Sequence, residues 1–235
     1  PLGPCEGRLA VEAFVSAVFF GSATTLVAWG LVAISLLVLG VVGVLLNKWV
    51  LKGERAAFIM QLPLYHRPNL RTIGIRVWHN SAEFLQKAGT LILIMSVFVW
   101  ILSTLPDGTI ETSYLARVGQ ALAPLGALMG LDWKMMVALL TSFVAKENAI
   151  ATMGVLYGGE GGATAGLGPV LTTVLTPAAA LAFLVVQMLF VPCAATVAAV
   201  KQETKSWGWT AFDVGLLLFV SLGGGIIVYQ ALSRI

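Results

Sequence analysis

Val170-LTTVLTPAAALAFLVVQMLFVPCAATVAA-Val200 decides the architecture: it is uncharged from end to end and interrupted twice, at Pro177 and at Pro192. A run of that length is more than the roughly 20 apolar residues needed to cross the hydrocarbon of a bilayer. Proline lacks the N–H that would pair with the carbonyl four residues back, and inside lipid such a carbonyl is tolerated only where it lines a cavity or finds another partner. For Pro192 the carbonyl left over in a continuous helix belongs to Met188, and Cys193 follows at once. A thiol beside a freed carbonyl at bilayer depth is a soft metal ligand, so the stretch points to a cation path through a membrane.

Composition agrees with the membrane reading. Apolar residues make up 58% of the 235-residue chain and charged residues 11%, against roughly 25% charged in a soluble domain. Mean hydropathy is +0.92. The fold class is therefore an all-α integral membrane protein, a polytopic helical bundle with broken or re-entrant helices. Two remote cysteines, Cys5 and Cys193, cannot form a disulfide framework. A net charge of +3, dispersed along the chain, gives no nucleic-acid footprint. Nucleotide-binding, Ser-His-Asp and His-Glu-x-x-His patterns are all missing from the sequence, which leaves no case for an enzyme. The chain starts at Pro1 without a basic, apolar leader, which reads as a piece of a longer protein.

Outward from the deciding stretch, residues 9–20 form a short apolar segment interrupted by Glu12, too short to span alone and fit for half of a broken helix. Residues 23–46 read as a spanning helix ending in Asn47-Lys48-Trp49, residues suited to the headgroup level. Residues 47–87 carry seven of the 14 Lys and Arg and read as a cytoplasmic connection. Within it Leu70, Ile73, Val77 and Phe84 predict an amphipathic helix on the membrane surface; an ordinary solvated loop with one helix is the plainer alternative. Spans follow over 88–105, 133–157 and 209–229, with a weaker helix at 114–131 and a glycine-rich connection at 158–168. If every run crosses once, Lys201 and Lys205 fall outside, against the positive-inside bias. If 133–157 is a re-entrant hairpin they fall inside. Gly223-Gly224-Gly225 in the last span predicts close helix approach.

Four features carry chemistry. Lys146-Glu147-Asn148 sits mid-way in an apolar segment, where a charge costs roughly 2.5–3.5 kcal/mol even on lenient insertion scales. Glu147 is thus a candidate ligand, with a structural ion pair to another helix as the alternative. Pro4-Cys5 and Pro192-Cys193 repeat the same dipeptide beside apolar helices, as corresponding positions of two structural repeats would; a buried cysteine that only packs is the alternative. Met188 offers a thioether and the carbonyl already described. His66 and His79 have no metal-ligand spacing.

Seven ordered motifs resemble the membrane part of the bacterial ferrous iron transport protein B family: PLGPCEGRL (1–9), LKGE (51–54), QLPLY (61–65), FLQKAGT (84–90), FVAKE (143–147), VPCAAT (191–196) and ETKSW (203–207). The resemblance implies two gate-type repeats: residues 1–46 would be the end of the first gate and a spanning helix, 47–87 the cytoplasmic connection, and 88–235 the second gate and last spans. It implies Fe²⁺ as transported substrate, with Cys5, Cys193 and Glu147 as metal-contacting residues and Pro4, Pro192 and Met188 at the helix breaks. It also implies a bacterial inner-membrane location and coupling to a GTP-binding domain, with its GTP and Mg²⁺, outside this chain. Small accessory proteins of the iron transport system and further copies of the chain are the other expected partners. Glu6-Gly7 and Asn148 depart from the family's usual residues and add polarity beside the path. Two other readings stay open: a nucleoside-type gate transporter, for which Asn148 and Gln187 are the available amides, and a non-transporting scaffold that docks a GTPase.

Overall fold

The computed structural model describes residues 3, 5–49, 69–105, 112–157, 166–190 and 192–234. Pro4, His66, residues 50–68 of the basic connection and residues 158–165 of the glycine-rich connection lie outside them. Ten α-helices make up the described residues, and no strand occurs among them. Residues Glu6–Phe20 form α1, which passes through a one-turn 3₁₀ segment, Gly21–Ala23, into α2, Thr24–Trp49. These are followed by α3, Leu70–Thr104, α4, Tyr114–Ala127, and α5, Trp133–Thr141. The remainder are α6, Asn148–Tyr157, α7, Leu167–Val174, α8, Pro177–Leu189, α9, Ala194–Thr204, and α10, Trp207–Leu232.

The long uncharged run is three helices. Its first break falls at Leu175-Thr176, where the Thr176 hydroxyl caps the amide of Ala179 at 3.2 Å and Pro177 takes the first helical position. Proline costs nothing there, because that N–H has no partner in any helix. The second break runs from Phe190, with extended backbone at ψ 160°, to Cys193.

Burial is inverted relative to a soluble protein. Helix α8 is the core: Ala179, Ala180 and every residue from Ala182 to Leu189 are buried, against α10, α1 and α2. By contrast α2 and α10 turn large apolar side chains outward, among them Leu26, Trp29, Phe219 and Ile227, each at least 70% exposed. Water would not tolerate that surface; hydrocarbon does. Among the described residues, three stretches are long and apolar enough to cross a bilayer: Glu6–Trp49, Pro177–Thr204 and Trp207–Leu232.

Two expectations about continuity change. The surface helix and the following span, read as separate from the sequence, are one helix of 35 residues, α3. No proline interrupts it, and at 1.5 Å per residue it is about 52 Å long. The run at 133–157, which sequence counting left as either a span or a hairpin, is a hairpin. Its two arms, α5 and α6, run antiparallel: Asp132 before α5 accepts from the hydroxyl of Tyr157 at the end of α6 at 2.6 Å. Halfway along, the hydroxyls of Thr141 and Thr152 meet at 2.8 Å, and Lys134 donates to the carbonyl of Leu156 at 3.0 Å.

The glycine triplet acts as its composition predicts. At Gly225 the backbone of α10 lies against Val186 of α8 and Met129, leaving no room for a Cβ. Gly225→Val therefore overpacks this contact and is expected to destabilise the fold by about 1–3 kcal/mol. A lowered unfolding midpoint in detergent is the expected result; an unchanged midpoint contradicts the close approach.

Candidate cation site

Three interrupted ends meet in one place. The first is the start of α1, where Cys5 is the N-cap with extended backbone at ψ 162°. The second is the start of α9, where Cys193 is the N-cap with ψ 161°. The two cysteines thus adopt the same local structure, each placing a thiol at the mouth of a helix N-terminus. Neither sulfur caps its helix, although this is the position where Ser, Thr, Asp or Asn would do so. The third end is the tip of the α5–α6 hairpin, which carries Lys146 and Glu147.

Long-range hydrogen bonds fasten these ends together. Arg8, 2% exposed, donates from Nη1 to the carbonyl of Gly3 at 3.0 Å and from Nη2 to the carbonyl of Phe190 at 2.8 Å. One guanidinium therefore bridges the segment before Cys5 and the break before Cys193. The hairpin tip is tied to the same break, since the carbonyl of Phe143 accepts from the amide of Ala194 at 2.8 Å. Gly7 closes the third side: a Cβ there would lie 2.9 Å from Cδ of Glu147 and 3.0 Å from Cβ of Lys146. Only a residue without a side chain lets α1 approach the hairpin this closely.

Two adjoining cavities result, of about 360 and 310 Å³. Both are lined by Cys5, Cys193 and Lys146; the larger adds Glu147 and Gly7, the smaller Arg8, Pro192 and Thr196. Lys146 is 3% exposed and its ammonium lies 5.0 Å over the ring of Phe190. Both sulfurs are within electrostatic range of Arg8 and of Lys146. The Cys193 sulfur also lies 3.3 Å from the hydroxyl of Thr196. The mouth therefore combines two basic side chains and two helix N-termini with two thiols and one carboxylate. No three His, Cys, Asp or Glu side chains form a metal-holding group among the described residues. The two sulfurs and the carboxylate line the larger cavity without forming a closed cage.

The residues singled out from the sequence are placed as follows. Cys5, Cys193 and Glu147 share the larger cavity, and Pro192 is buried in the wall of the adjoining smaller one. Met188 is apart: it is 2% exposed in the core of α8 and lines neither cavity. The freed carbonyl is correspondingly displaced, because α8 ends at Leu189, before Pro192 is reached, and the carbonyl in the gap that takes a donor is that of Phe190. His79 is exposed on α3, away from the site. Sequence reasoning missed the roles of Arg8 and Gly7. Their signals were present, an arginine three residues after Cys5 and a glycine between them, but both act on partners more than 130 residues away.

Comparison with known proteins places this arrangement. Residues 85–207 match a gate-domain family described as nucleoside recognition, and residues 28–80 match the family described as ferrous iron transport protein B C terminus. The Fe(2+) transporter FeoB of Staphylococcus aureus (strain COL) is 34% identical over 98% of this chain and 35% of its own length. That of Methanocaldococcus jannaschii is 32% identical over 91% of this chain and 33% of its own. A fusion of Fe(2+) transport protein A with Fe(2+) transporter FeoB, from Porphyromonas gingivalis, is 30% identical over 91% of this chain and 31% of its own. The chain thus spans about a third of the length of these curated relatives. No solved structure matches it.

The bridge made by Arg8 is open to direct test. Arg8→Lys keeps the charge and loses the fork that reaches two carbonyls at once. It is expected to cost about 1–3 kcal/mol, the penalty for a buried carbonyl deprived of its donor. Chemical unfolding in detergent measures this, and wild-type stability in Arg8→Lys contradicts the bridging role.

Proposed function

Because the chain belongs to the ferrous iron transport protein B family, as part of its C-terminal membrane region, we propose that it forms the route by which Fe²⁺ crosses the bilayer. The observation that carries this reading is the convergence of Cys5 and Cys193, each at a helix N-terminus, on cavities they share with Glu147 and Lys146.

The chemistry suits a passing ion. Fe²⁺ accepts sulfur and oxygen ligands alike, and the thiolate is the form of cysteine that binds metal. Binding to two thiols therefore releases protons, and the resulting negative charge offsets that of the ion. Two basic side chains beside the sulfurs disfavour any divalent ion that gains little from binding sulfur. A hard ion such as Mg²⁺, which prefers oxygen and dehydrates reluctantly, gains little here. Lys146 holds its ammonium against Phe190, on a flexible stem that can withdraw as the ion arrives. Two sulfurs bind less tightly than a four-thiolate site would, as conduction requires.

The same reading extends to the whole protein. Opening is coupled to a GTP-binding domain, with its GTP and Mg²⁺, elsewhere in the parent protein. This part of the chain performs no catalysis, residues 1–46 and 88–235 contribute to two gates, and the location is a bacterial inner membrane. The Porphyromonas gingivalis relative, fused to an Fe(2+) transport protein A, supports a small accessory protein as partner. The nucleoside alternative is less well supported. Asn148 does line a cavity of about 280 Å³ with Trp100 and Thr141, but Gln187, the other amide, is buried in α8 and does not line it.

Fe²⁺ influx into liposomes carrying the whole protein tests the route. Cys5→Ser and Cys193→Ser are each expected to lower influx by about tenfold or more, the usual loss when a metal-site residue is removed. Influx at the wild-type rate in both variants rules out the sulfur route.

A further inference from the structure

One buried carboxylate has no use in the site just described. Glu12, on α1, is 1% exposed, and neither of its oxygens has a hydrogen-bond partner. Gln187, on α8, is likewise 1% exposed, and neither its amide oxygen nor its amide nitrogen has a partner. Leaving such groups unmatched inside a protein costs several kcal/mol for an amide and more for a charged carboxylate. Both polar atoms of each side chain are thus buried without a partner.

Their positions in the fold are related. Helices α1 and α8 are packed together, and Arg8 at the start of α1 reaches the carbonyl of Phe190 just past the end of α8. The two helices are thus antiparallel, with this contact at the level of the cysteines. Glu12 follows Arg8 by four residues and Gln187 precedes Phe190 by three, about one helical turn in each case. Both therefore sit at a similar depth, one turn beyond the thiols. Ser16, fully buried, follows Glu12 by a further turn on the same face of α1. An arginine four residues before a glutamate is the usual partner for it on a helix surface. Here Arg8 points its donors the other way, to Gly3 and Phe190, and the Glu12 oxygens accept nothing.

We propose that Glu12 and Gln187 are the oxygen donors of a second divalent-cation station, one helical turn deeper than the cysteine pair. The carboxylate and the amide oxygen are hard donors of the type that Mn²⁺ and Fe²⁺ both accept. An ion leaving the sulfurs passes to oxygen ligands that compete for it without holding it, as stepwise conduction demands. The inference rests on the transport reading above, and its test has a readout of its own.

That test is Mn²⁺ binding to the whole protein in detergent, followed by electron paramagnetic resonance. The background is Cys5→Ser/Cys193→Ser, so that sulfur contributes nothing. Adding Glu12→Gln, which keeps shape and a hydrogen-bonding side chain, is expected to weaken Mn²⁺ binding by about tenfold or more. Unchanged Mn²⁺ affinity overturns the station and leaves Glu12 as a protonated partner of Gln187. Gln187→Glu, in the same background, adds a second carboxylate and is expected to tighten Mn²⁺ binding about tenfold, since ligand charge tunes such sites. Unaltered or weaker binding in that variant also overturns the station, whatever the fate of Glu12→Gln. Glu12-dependent Mn²⁺ binding in a protein whose Fe²⁺ influx ignores both cysteines would retain the station and reject the sulfur route.

Discussion

A single guanidinium holds the site together. Arg8 is buried, and it donates hydrogen bonds to carbonyls on either side of the mouth, those of Gly3 and Phe190. Charge-assisted bonds of this kind are worth about 1.5–3 kcal/mol each, and their value rises where water cannot compete. The Phe190 carbonyl belongs to backbone that has just left α8, so it needs a donor from elsewhere. The arginine supplies that donor and, by also holding Gly3, brings Cys5 and Cys193 to one cavity. Broken helices inside a bilayer are costly unless something re-satisfies their backbone, and here that partner is also what positions the thiols.

The charges around the mouth follow from that arrangement. Arg8 and Lys146 are the basic side chains there, and two helix N-termini add positive potential to them. Against them stand two thiols and Glu147, the latter held where Gly7 lets the hairpin approach α1. Association with the membrane comes from a separate part of the molecule: the outward apolar faces of α2 and α10 meet lipid, while the cysteines sit where three helix ends interrupt the bundle.

Much of this was legible in the sequence because proline leaves a one-dimensional mark. Pro177 and Pro192 announce the two breaks in the uncharged run, and the repeated Pro-Cys dipeptide announces two equivalent helix starts. The glycine triplet marks the contact of α10 with α8 for the same local reason. What stayed illegible depends on partners distant in the chain. The largely apolar run of 25 residues at 133–157 suits a span as well as a hairpin, and the hairpin shows only in contacts such as Asp132 with Tyr157. Met188 was assigned the freed carbonyl by counting back from Pro192, but the helix ends early, and the carbonyl of Phe190 is the one that Arg8 meets. Glu12 read as a mere interruption of an apolar segment; its burial without a partner is visible only once α1 lies on α8.

The central claim is that sulfur from both ends of the chain meets the same ion. X-ray absorption at the iron edge, on the whole protein loaded anaerobically with Fe²⁺, measures this directly. The account predicts sulfur in the first coordination shell together with lighter oxygen or nitrogen neighbours, the sulfur contribution falling when either Cys5 or Cys193 is replaced by serine. A first shell of oxygen and nitrogen alone, unchanged by either replacement, would contradict it.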